Sequence, residues 1–360
     1  MRDRFGREID YMRISVIDSC NLNCYYCNPQ DNNKKCQAIN TLSVKKVLCI
    51  VRAATRLGIK HFRLTGGEPL LHPQLDEMVL QIKKISGVSS VSLTTNAVLL
   101  AQHAKWLKEA GIDSINVSLD TIDASEYEHI TKKPLLEEVK HGINAAIECG
   151  IRVKINVVLT PQTDVVALTR YVAKKGTDIR FIEMMPVGEG HTNGVEPYKK
   201  VIGTLSKLYG EPCRINTEKT KEINSGNDKR KIPDNGPAEY YIFPELGIRV
   251  GLIQAIHGKF CDTCNRIRVT ADGRLMPCLG SSVTMDLVPD SCEFTDDLEK
   301  DFVIVQALKA AIKAKPGCHN FNDNAVTYTK TTETKTVETK TTELKAAEVN
   351  AARNMSRIGG

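Results

Sequence analysis

The stretch "DSCNLNCYYCNP" (residues 18–29) places three cysteines, Cys20, Cys24 and Cys27, in the spacing C-x3-C-x2-C. Three thiolates within so few residues are typical of a metal centre. A closed tetrahedral zinc site takes four protein ligands, but the next cysteine, Cys36, lies beyond a polar stretch. The spacing therefore predicts a metal centre with one position left open.

The cysteine trio follows the first of several short β-rich runs, which alternate with amphipathic helical segments between residues 11 and 185. The predicted strands are residues 12–18, 61–67, 90–96, 114–120, 152–159 and 178–185. Helical connections of this kind imply parallel strands, and six strands are too few for a closed eight-stranded barrel. We therefore expect an α/β fold, an incomplete (three-quarter) parallel βα barrel of six βα units with a C-terminal β-containing extension. The chemistry should lie at the C-terminal ends of the strands, where the trio falls.

The composition limits the class of protein. The 360 residues carry a formal net charge of +6, which suits an anionic small ligand but is too mild to indicate nucleic acid. We find no apolar stretch that resembles a secretory signal or could cross a bilayer. The sequence therefore predicts a cytoplasmic protein with no membrane or nucleic-acid partner, in which cysteines favour metal binding over disulfides.

A second cysteine trio lies in "FCDTCNRIRVTADGRLMPCL", where Cys261, Cys264 and Cys278 have the spacing C-x2-C-x13-C across a hairpin predicted to turn at 272–273. Structural zinc, a disulfide plus a spare thiol, and an iron–sulfur cluster are the alternatives for each trio. Zinc would need further ligands, and disulfides are disfavoured by a reducing compartment. A [4Fe–4S] cluster held by three thiolates would keep one iron open. For the second trio alone, the spacing leaves iron and zinc equally open.

Basic residues occur on several predicted strands, including Arg13, Arg63 and Lys154. A buried cation is costly unless it is paired, so cations that face the barrel interior would bind an anion such as a triphosphate. The alternative is that each one faces solvent or pairs with Asp or Glu. The alternation Arg-Ile-Arg puts Arg266 and Arg268 on one face of a strand beside the second trio.

The position of C-x3-C-x2-C after the first strand resembles the hallmark of the radical S-adenosylmethionine (SAM) superfamily. The resemblance implies that SAM binds the open iron of a [4Fe–4S] cluster and is cleaved to methionine and a 5′-deoxyadenosyl radical. "LTGGEPLL", "LTTN", "INVSLDT", "RFIEMMPVG", the second trio and the terminal "IGG" follow the order of the molybdenum-cofactor biosynthesis protein A family, the GTP 3′,8-cyclases. This resemblance covers residues 5 to about 325 and returns at 354–360.

The resemblance implies a lyase that converts GTP to (8S)-3′,8-cyclo-7,8-dihydroguanosine 5′-triphosphate in the first step of molybdenum cofactor biosynthesis. One [4Fe–4S] cluster would be held by Cys20, Cys24 and Cys27, and an auxiliary [4Fe–4S] cluster that binds the guanine of GTP by Cys261, Cys264 and Cys278. The SAM-binding positions would be Tyr26, Gly67, Ser118 and Met185. The GTP-binding positions would be Arg13, Arg63, Thr94, Lys154, Arg266, Ile267 and Arg268. The catalytic set would be Cys20, Cys24, Cys27, Arg266, Arg268, Gly359 and Gly360.

One position departs from the family pattern, which normally reads TTNG. Here the motif ends in Ala97. Alanine is poor at positive φ, so we expect this turn, and with it the placement of Thr94, to differ slightly.

The expected organisation has four parts: a radical SAM partial barrel (1–186), an auxiliary-cluster and GTP-binding region (187–326), a low-complexity tether (327–346) and a tail ending in Gly-Gly (347–360) that enters the barrel. The implied partners besides GTP and SAM are an electron donor of the flavodoxin or ferredoxin type, the downstream cyclic pyranopterin monophosphate synthase and a second copy of the chain in a homodimer. The alternative enzyme is a radical SAM peptide-modifying enzyme with an auxiliary iron–sulfur cluster. An iron–sulfur electron carrier would not need the GGEP motif or an open barrel. A zinc-dependent nucleic-acid binder should have a denser basic patch with stacking aromatic residues, whereas aromatic residues make up only 5% of this chain.

Overall fold

The computed structural model describes residues 1–27, 39–187, 195–215, 236–281, 283–287, 297–319 and 321. The predicted tether and the tail with Gly359 and Gly360 lie outside the described residues. Within the described ranges, every helix is too short or too polar to cross a membrane.

Six βα repeats form the first half of the chain, as predicted. The strands are β1 (Tyr11–Ser15), β2 (His61–Thr65), β3 (Ser90–Thr95), β4 (Ser114–Ser118), β5 (Val153–Leu159) and β6 (Asp178–Glu183). The helices are α1 (Val44–Arg56), α2 (Leu75–Lys83), α3 (Leu100–Glu109), α4 (Ala124–Thr131), α5 (Leu136–Glu148) and α6 (Val165–Lys174). Five of the predicted strand runs contain an observed strand, and the first run, 12–18, overlaps β1, which begins one residue earlier at Tyr11.

The second half supplies short strands and two further helices. They are α7 (Gly203–Tyr209), β7 (Cys213–Arg214), β8 (Glu239–Ile242), β9 (Arg249–Ile253), β10 (Arg266–Val269), β11 (Arg274–Met276), β12 (Met285–Asp286) and α8 (Asp297–Ala314). The predicted hairpin is confirmed, since β10 and β11 pair antiparallel across a turn in which Gly273 has a φ of +82°.

The strands form one sheet in the order β12-β11-β10-β1-β2-β3-β4-β5-β6-β9-β8-β7. Strand β10 pairs parallel with β1 and β9 pairs parallel with β6, while the outermost strands are antiparallel. The structure therefore confirms an α/β fold with a mostly parallel sheet. It also refines the expected extension, because the C-terminal strands join both sides of the six-stranded unit and cover what would otherwise be exposed strand edges.

The alternation of side chains along each strand separates the core from the opposite face. On β1, Met12 and Ile14 are fully buried among apolar side chains, whereas Tyr11 and Arg13 line a cavity on the other face. Successive side chains of a strand point to opposite faces, so the same strands build the core and the wall of the cavity.

Candidate active site

The cavity has a volume of about 830 Å³ and is lined by side chains from β1 to β6 and from β10. Both cysteine trios lie on its wall. A volume in this range is typical of sites for small molecules and cofactors. The fold therefore brings together two groups of thiols that are separated by more than 230 residues in the sequence.

The first trio lies in the loop after β1. Burial, together with the nearby Cys27 thiol, raises the pKa of Cys24. Cys20 lines the cavity, where loss of solvent around the thiol, followed by the charge of Glu68, raises its pKa to about 12. These thiols stay protonated until a cation replaces the proton, as metal ligation does.

Neither trio converges on one point. Within the described ranges, no three His, Cys, Asp or Glu side chains are arranged to hold a metal ion as they stand. A polynuclear cluster spreads its thiolate ligands over several irons, so the ligands need not meet at a single centre. Within each trio, the charge of one cysteine raises the pKa of another. Soft thiolates that lie this close together fit an iron–sulfur cluster.

The GGE loop after β2 holds the first trio in place. The Gly67 N–H donates to the Ile17 carbonyl at 2.8 Å, and the Glu68 N–H donates to the Ser19 carbonyl at 2.7 Å. A Cβ atom on Gly67 would lie 2.2 Å from the Ser19 carbonyl oxygen. Only glycine allows this approach, so Gly67 fixes the backbone that leads into Cys20.

Glu68 links the GGE loop to the end of β3. Its fully buried carboxylate accepts hydrogen bonds from Thr95 Oγ1 at 2.6 Å, Asn96 N at 2.7 Å and Leu70 N at 3.0 Å. Burial raises its pKa to about 7, although these hydrogen bonds act in the opposite direction. Asn96 in turn donates through Nδ2 to Asn21 Oδ1 at 2.7 Å, so the loops after β1, β2 and β3 form one connected unit.

The turn at Ala97 places an alanine at positive φ, and its difference from the family's TTNG turn stays a prediction. Ala97 has a φ of +64°, the left-handed conformation that glycine adopts readily. The Ala97 N–H donates to Thr95 Oγ1 at 3.0 Å, and its fully buried side chain packs in the core. These contacts hold the alanine in a conformation that costs about 1–2 kcal/mol.

The four predicted SAM positions all line the cavity. They are Tyr26, Gly67, Ser118 and Met185. Tyr26 is fixed through its hydroxyl, which donates to Asp120 Oδ2 at 2.5 Å, while Asp120 Oδ1 accepts from the Val158 N–H at 2.8 Å. Burial raises the pKa of Asp120 to about 6. Contact of the four predicted positions with SAM remains a prediction.

The second trio has a different electrostatic setting. Burial raises the pKa of the Cys264 thiol, but the positive charges of Arg266 and Lys315 outweigh burial and lower it to about 6. Arg266 Nη2 lies 3.7 Å from Cys264 Sγ, and its guanidinium lies over the Phe260 ring. Cations beside thiols favour the thiolate form that binds metal.

A row of arginines crosses the cavity wall. Arg13 on β1 stands in register with Arg268 on β10 on one side and with Arg63 on β2 on the other. Burial, followed by the charge of a neighbouring arginine, lowers the pKa of both Arg13 and Arg268, the latter to about 10. Buried Arg63 Nε and Arg268 Nη1 find no hydrogen-bond partner among the described residues. Adjacent like charges are unfavourable, so this wall is suited to a multivalent anion.

Further polar groups extend this basic wall. Lys154 on β5 lines the cavity and is 4% exposed, and buried Thr94 Oγ1 has no hydrogen-bond partner in the described part of the chain. Arg180 on β6 was missed by the sequence analysis, although it is a cation on a predicted strand like Arg13. It lines the cavity, and its Nε donates to Asn156 Oδ1 at 2.9 Å.

One predicted residue faces away. The side chain of Ile267 is 1% exposed and lies in the hydrophobic core between the cavity-lining Arg266 and Arg268. Any contact of Ile267 with a nucleotide would involve its backbone, and it remains a prediction. The predicted roles of Gly359 and Gly360 fall outside the described residues.

Comparison with protein families divides the chain into two parts. Residues 14–167 match the Radical SAM superfamily, and residues 177–321 match Molybdenum Cofactor Synthesis C. A GTP 3′,8-cyclase of Clostridium perfringens is 35% identical over 324 residues, which cover 89% of this chain and 95% of that protein. A GTP 3′,8-cyclase of Pelotomaculum thermopropionicum is 36% identical over 327 residues, again 89% and 95% of the two chains.

The chain belongs to the GTP 3′,8-cyclase family. Among solved structures, Streptococcus suis SuiB bound to S-adenosylmethionine is similar, with a TM-score of 0.55, 15% identity and coverage of 86% of this chain and 68% of SuiB. At this identity the likeness concerns the fold alone. Membership in the GTP 3′,8-cyclase family therefore rests on the sequence matches, and it favours the cyclase over the peptide-modifying alternative.

Proposed function

We propose that this chain is a radical SAM GTP 3′,8-cyclase that forms (8S)-3′,8-cyclo-7,8-dihydroguanosine 5′-triphosphate in molybdenum cofactor biosynthesis. The observation that carries the proposal is the single cavity that joins two cysteine trios to a row of buried arginines. Two thiol-rich centres and a cationic wall in one cavity suit a nucleoside triphosphate bound together with two iron–sulfur clusters.

The first trio would hold a [4Fe–4S] cluster with SAM at its open iron, next to Tyr26, Gly67, Ser118 and Met185. When bound, this pair supplies a carbon radical that can abstract hydrogen from the substrate. The residues of this chain position the cluster ligands and the SAM-binding side chains. The GGE loop fixes the backbone around Cys20, and the Asp120 hydrogen bond holds Tyr26 against the cavity wall.

The second trio would hold the auxiliary [4Fe–4S] cluster, which faces the guanine. The triphosphate would bind the cationic wall, whose members are Arg13, Arg63, Lys154, Arg180 and Arg268. Arginine can bind phosphate oxygens through two parallel hydrogen bonds. Phosphate oxygens would also supply the partners that Arg63 Nε and Arg268 Nη1 lack within the described residues.

The cavity shape supports the finer proposal of a partial barrel. Side chains of all six strands from β1 to β6 line one cavity, which a flat sheet could not achieve. A strongly curved sheet would also exclude water from the reacting groups.

The remaining expectations complete the proposal. The enzyme would act in the cytoplasm, receive electrons from a flavodoxin or ferredoxin type donor, pass its product to cyclic pyranopterin monophosphate synthase and form a homodimer. Gly359 and Gly360 would enter the barrel and promote SAM cleavage.

The two trios can be tested separately with alanine variants of one cysteine in each. Cys24→Ala should abolish formation of 5′-deoxyadenosine, because it removes a ligand of the cluster that binds SAM. Cys264→Ala should still form some 5′-deoxyadenosine but no cyclised nucleotide. Cyclisation at the wild-type rate by Cys264→Ala would show that the second trio has another role.

A further inference from the structure

Residues 315–319, directly after α8, wrap around the second trio. Arg7 holds this segment in place. Its Nη1 donates to the carbonyls of Cys261 at 2.7 Å and Gly317 at 3.0 Å, and its Nη2 donates to the carbonyl of Pro316 at 2.7 Å. Through Arg7, residues 315–319 are therefore tied to the backbone of Cys261, a proposed cluster ligand.

Lys315 is the buried cation of this segment. It is 2% exposed, and its Nζ donates to the carbonyls of Arg266 at 2.8 Å and Pro277 at 3.0 Å. Arg266 lies two residues after Cys264, and Pro277 directly precedes Cys278. Lys315 therefore bridges the chain segments beside these two cysteines, a position that nothing in the spacing of the trio predicted.

Both thiols and another cation act on the charge of Lys315. Burial is the largest effect and lowers the pKa of Lys315, and the charge of Arg7 acts in the same direction, whereas the charges of Cys264 and Cys278 favour its ammonium form. Within the described ranges, no carboxylate pairs with Lys315. An ammonium group that is buried without an anion is costly, so its natural counter-ions are thiolates.

We propose that Lys315 compensates the negative charge of the second trio, and thereby retains the auxiliary cluster and stabilises its reduced form. This inference rests on the proposed function in taking the ligand of the trio to be an iron–sulfur cluster. Reduction adds an electron to the cluster, and net charge and hydrogen bonds to sulfur are among the factors that set cluster potentials. A fixed cation beside the sulfurs therefore raises the potential, and its removal lowers it. Lys315 acts as a positioning residue, since it reaches the cluster only through its ligands.

The test compares Lys315→Met, Lys315→Arg and the control Lys313→Met, which removes an exposed lysine from the last turn of α8. Each substitution is placed in the full chain and also in a Cys20→Ala/Cys24→Ala/Cys27→Ala background, where the auxiliary cluster alone remains. Iron and sulfide are counted after anaerobic reconstitution. The midpoint potential of the auxiliary cluster is measured by redox titration with electron paramagnetic resonance.

The expected result is a lower midpoint potential in Lys315→Met, or loss of the auxiliary iron, with Lys315→Arg and Lys313→Met close to the parent protein. Full iron content with an unchanged potential in Lys315→Met would overturn the proposal. Loss of iron in both Lys315→Met and Lys315→Arg would also overturn it, because the role would then depend on shape and not on charge. Failure of the proposed function is distinguishable, since a parent chain with about four irons and not about eight would lack the auxiliary cluster altogether.

Discussion

Replacement of Arg268 by glutamine should raise the stability of the nucleotide-free protein and at the same time weaken GTP binding. Arg268 and Arg13 stand in register on neighbouring parallel strands, and such strands are about 4.8 Å apart. Two unit charges at about 5 Å repel by about 3 kcal/mol at the effective dielectric constant of protein sites, about 20. Arg268→Gln removes this repulsion and the burial cost of one guanidinium.

The same substitution removes a charge-assisted contact with the bound anion. Such hydrogen bonds contribute about 1.5–3 kcal/mol, which corresponds to a loss of affinity of about tenfold to a hundredfold. We therefore expect weaker GTP binding together with a higher melting temperature in the absence of nucleotide. A purely structural arginine would show the opposite change in stability.

Equilibrium dialysis of GTP against the reconstituted protein measures the affinity, and thermal unfolding with and without GTP measures the stability. Arg170→Gln is the matched control, because Arg170 lies exposed on α6 and its Nε contacts Tyr209 Oη. The control should leave GTP affinity unchanged. Unchanged affinity in Arg268→Gln, or a lower melting temperature in that variant alone, would refute the assignment of the arginine row to the triphosphate.

Two further substitutions test the supports of the cysteine trios. Gly67→Ala should lose the iron of the first cluster, because the new Cβ would lie 2.2 Å from the Ser19 carbonyl oxygen. The control Gly203→Ala should keep the iron, because its new Cβ would have nothing within 4 Å. Equal iron content in both variants would contradict this role of Gly67. Asp3→Asn should destabilise the protein at pH 7 by about 1.5–3 kcal/mol, since the Asp3 carboxylate holds Arg7 at 2.6 Å. Burial raises the pKa of Asp3, but its hydrogen bonds from Arg7 and from backbone N–H groups outweigh burial and lower it below 3.8, so the stabilisation is present above pH 3.8 and is lost as the pH falls further. The difference between wild type and Asp3→Asn in denaturant-induced unfolding should therefore shrink below about pH 4, and a constant difference would exclude the ion pair as its source.

The strands and helices of the six βα repeats could be predicted from the sequence, because hydrophobic periodicity and glycine stops are local signals. The rule that a buried cation on a strand needs an anion gave the cavity-facing positions of Arg13, Arg63 and Lys154 as one of two alternatives, the other being solvent or an Asp or Glu partner. The structure places all three on the cavity wall. Arg180 obeys the same rule and could have been found by applying it to β6. Ile267 shows the limit of motif transfer, because strand alternation turns its side chain into the core.

The pairing of distant strands could not be predicted. Strand β10 joins β1 across more than 250 residues, and parallel pairing at that separation has no local sequence signal. The contacts of Lys315 depend on this pairing, since they need α8, β10 and β11 to be assembled first. The left-handed Ala97 has a similar origin, as tertiary contacts override the preference of alanine.

The most direct test of the proposed activity is anaerobic incubation of the reconstituted protein with GTP, SAM and a reductant, followed by mass spectrometry of the nucleotides. We predict a new nucleotide with the mass of GTP but a different retention time, formed together with 5′-deoxyadenosine and methionine and dependent on both clusters. Recovery of unchanged GTP, from protein that contains both clusters and cleaves SAM at the same rate with and without GTP, would contradict it.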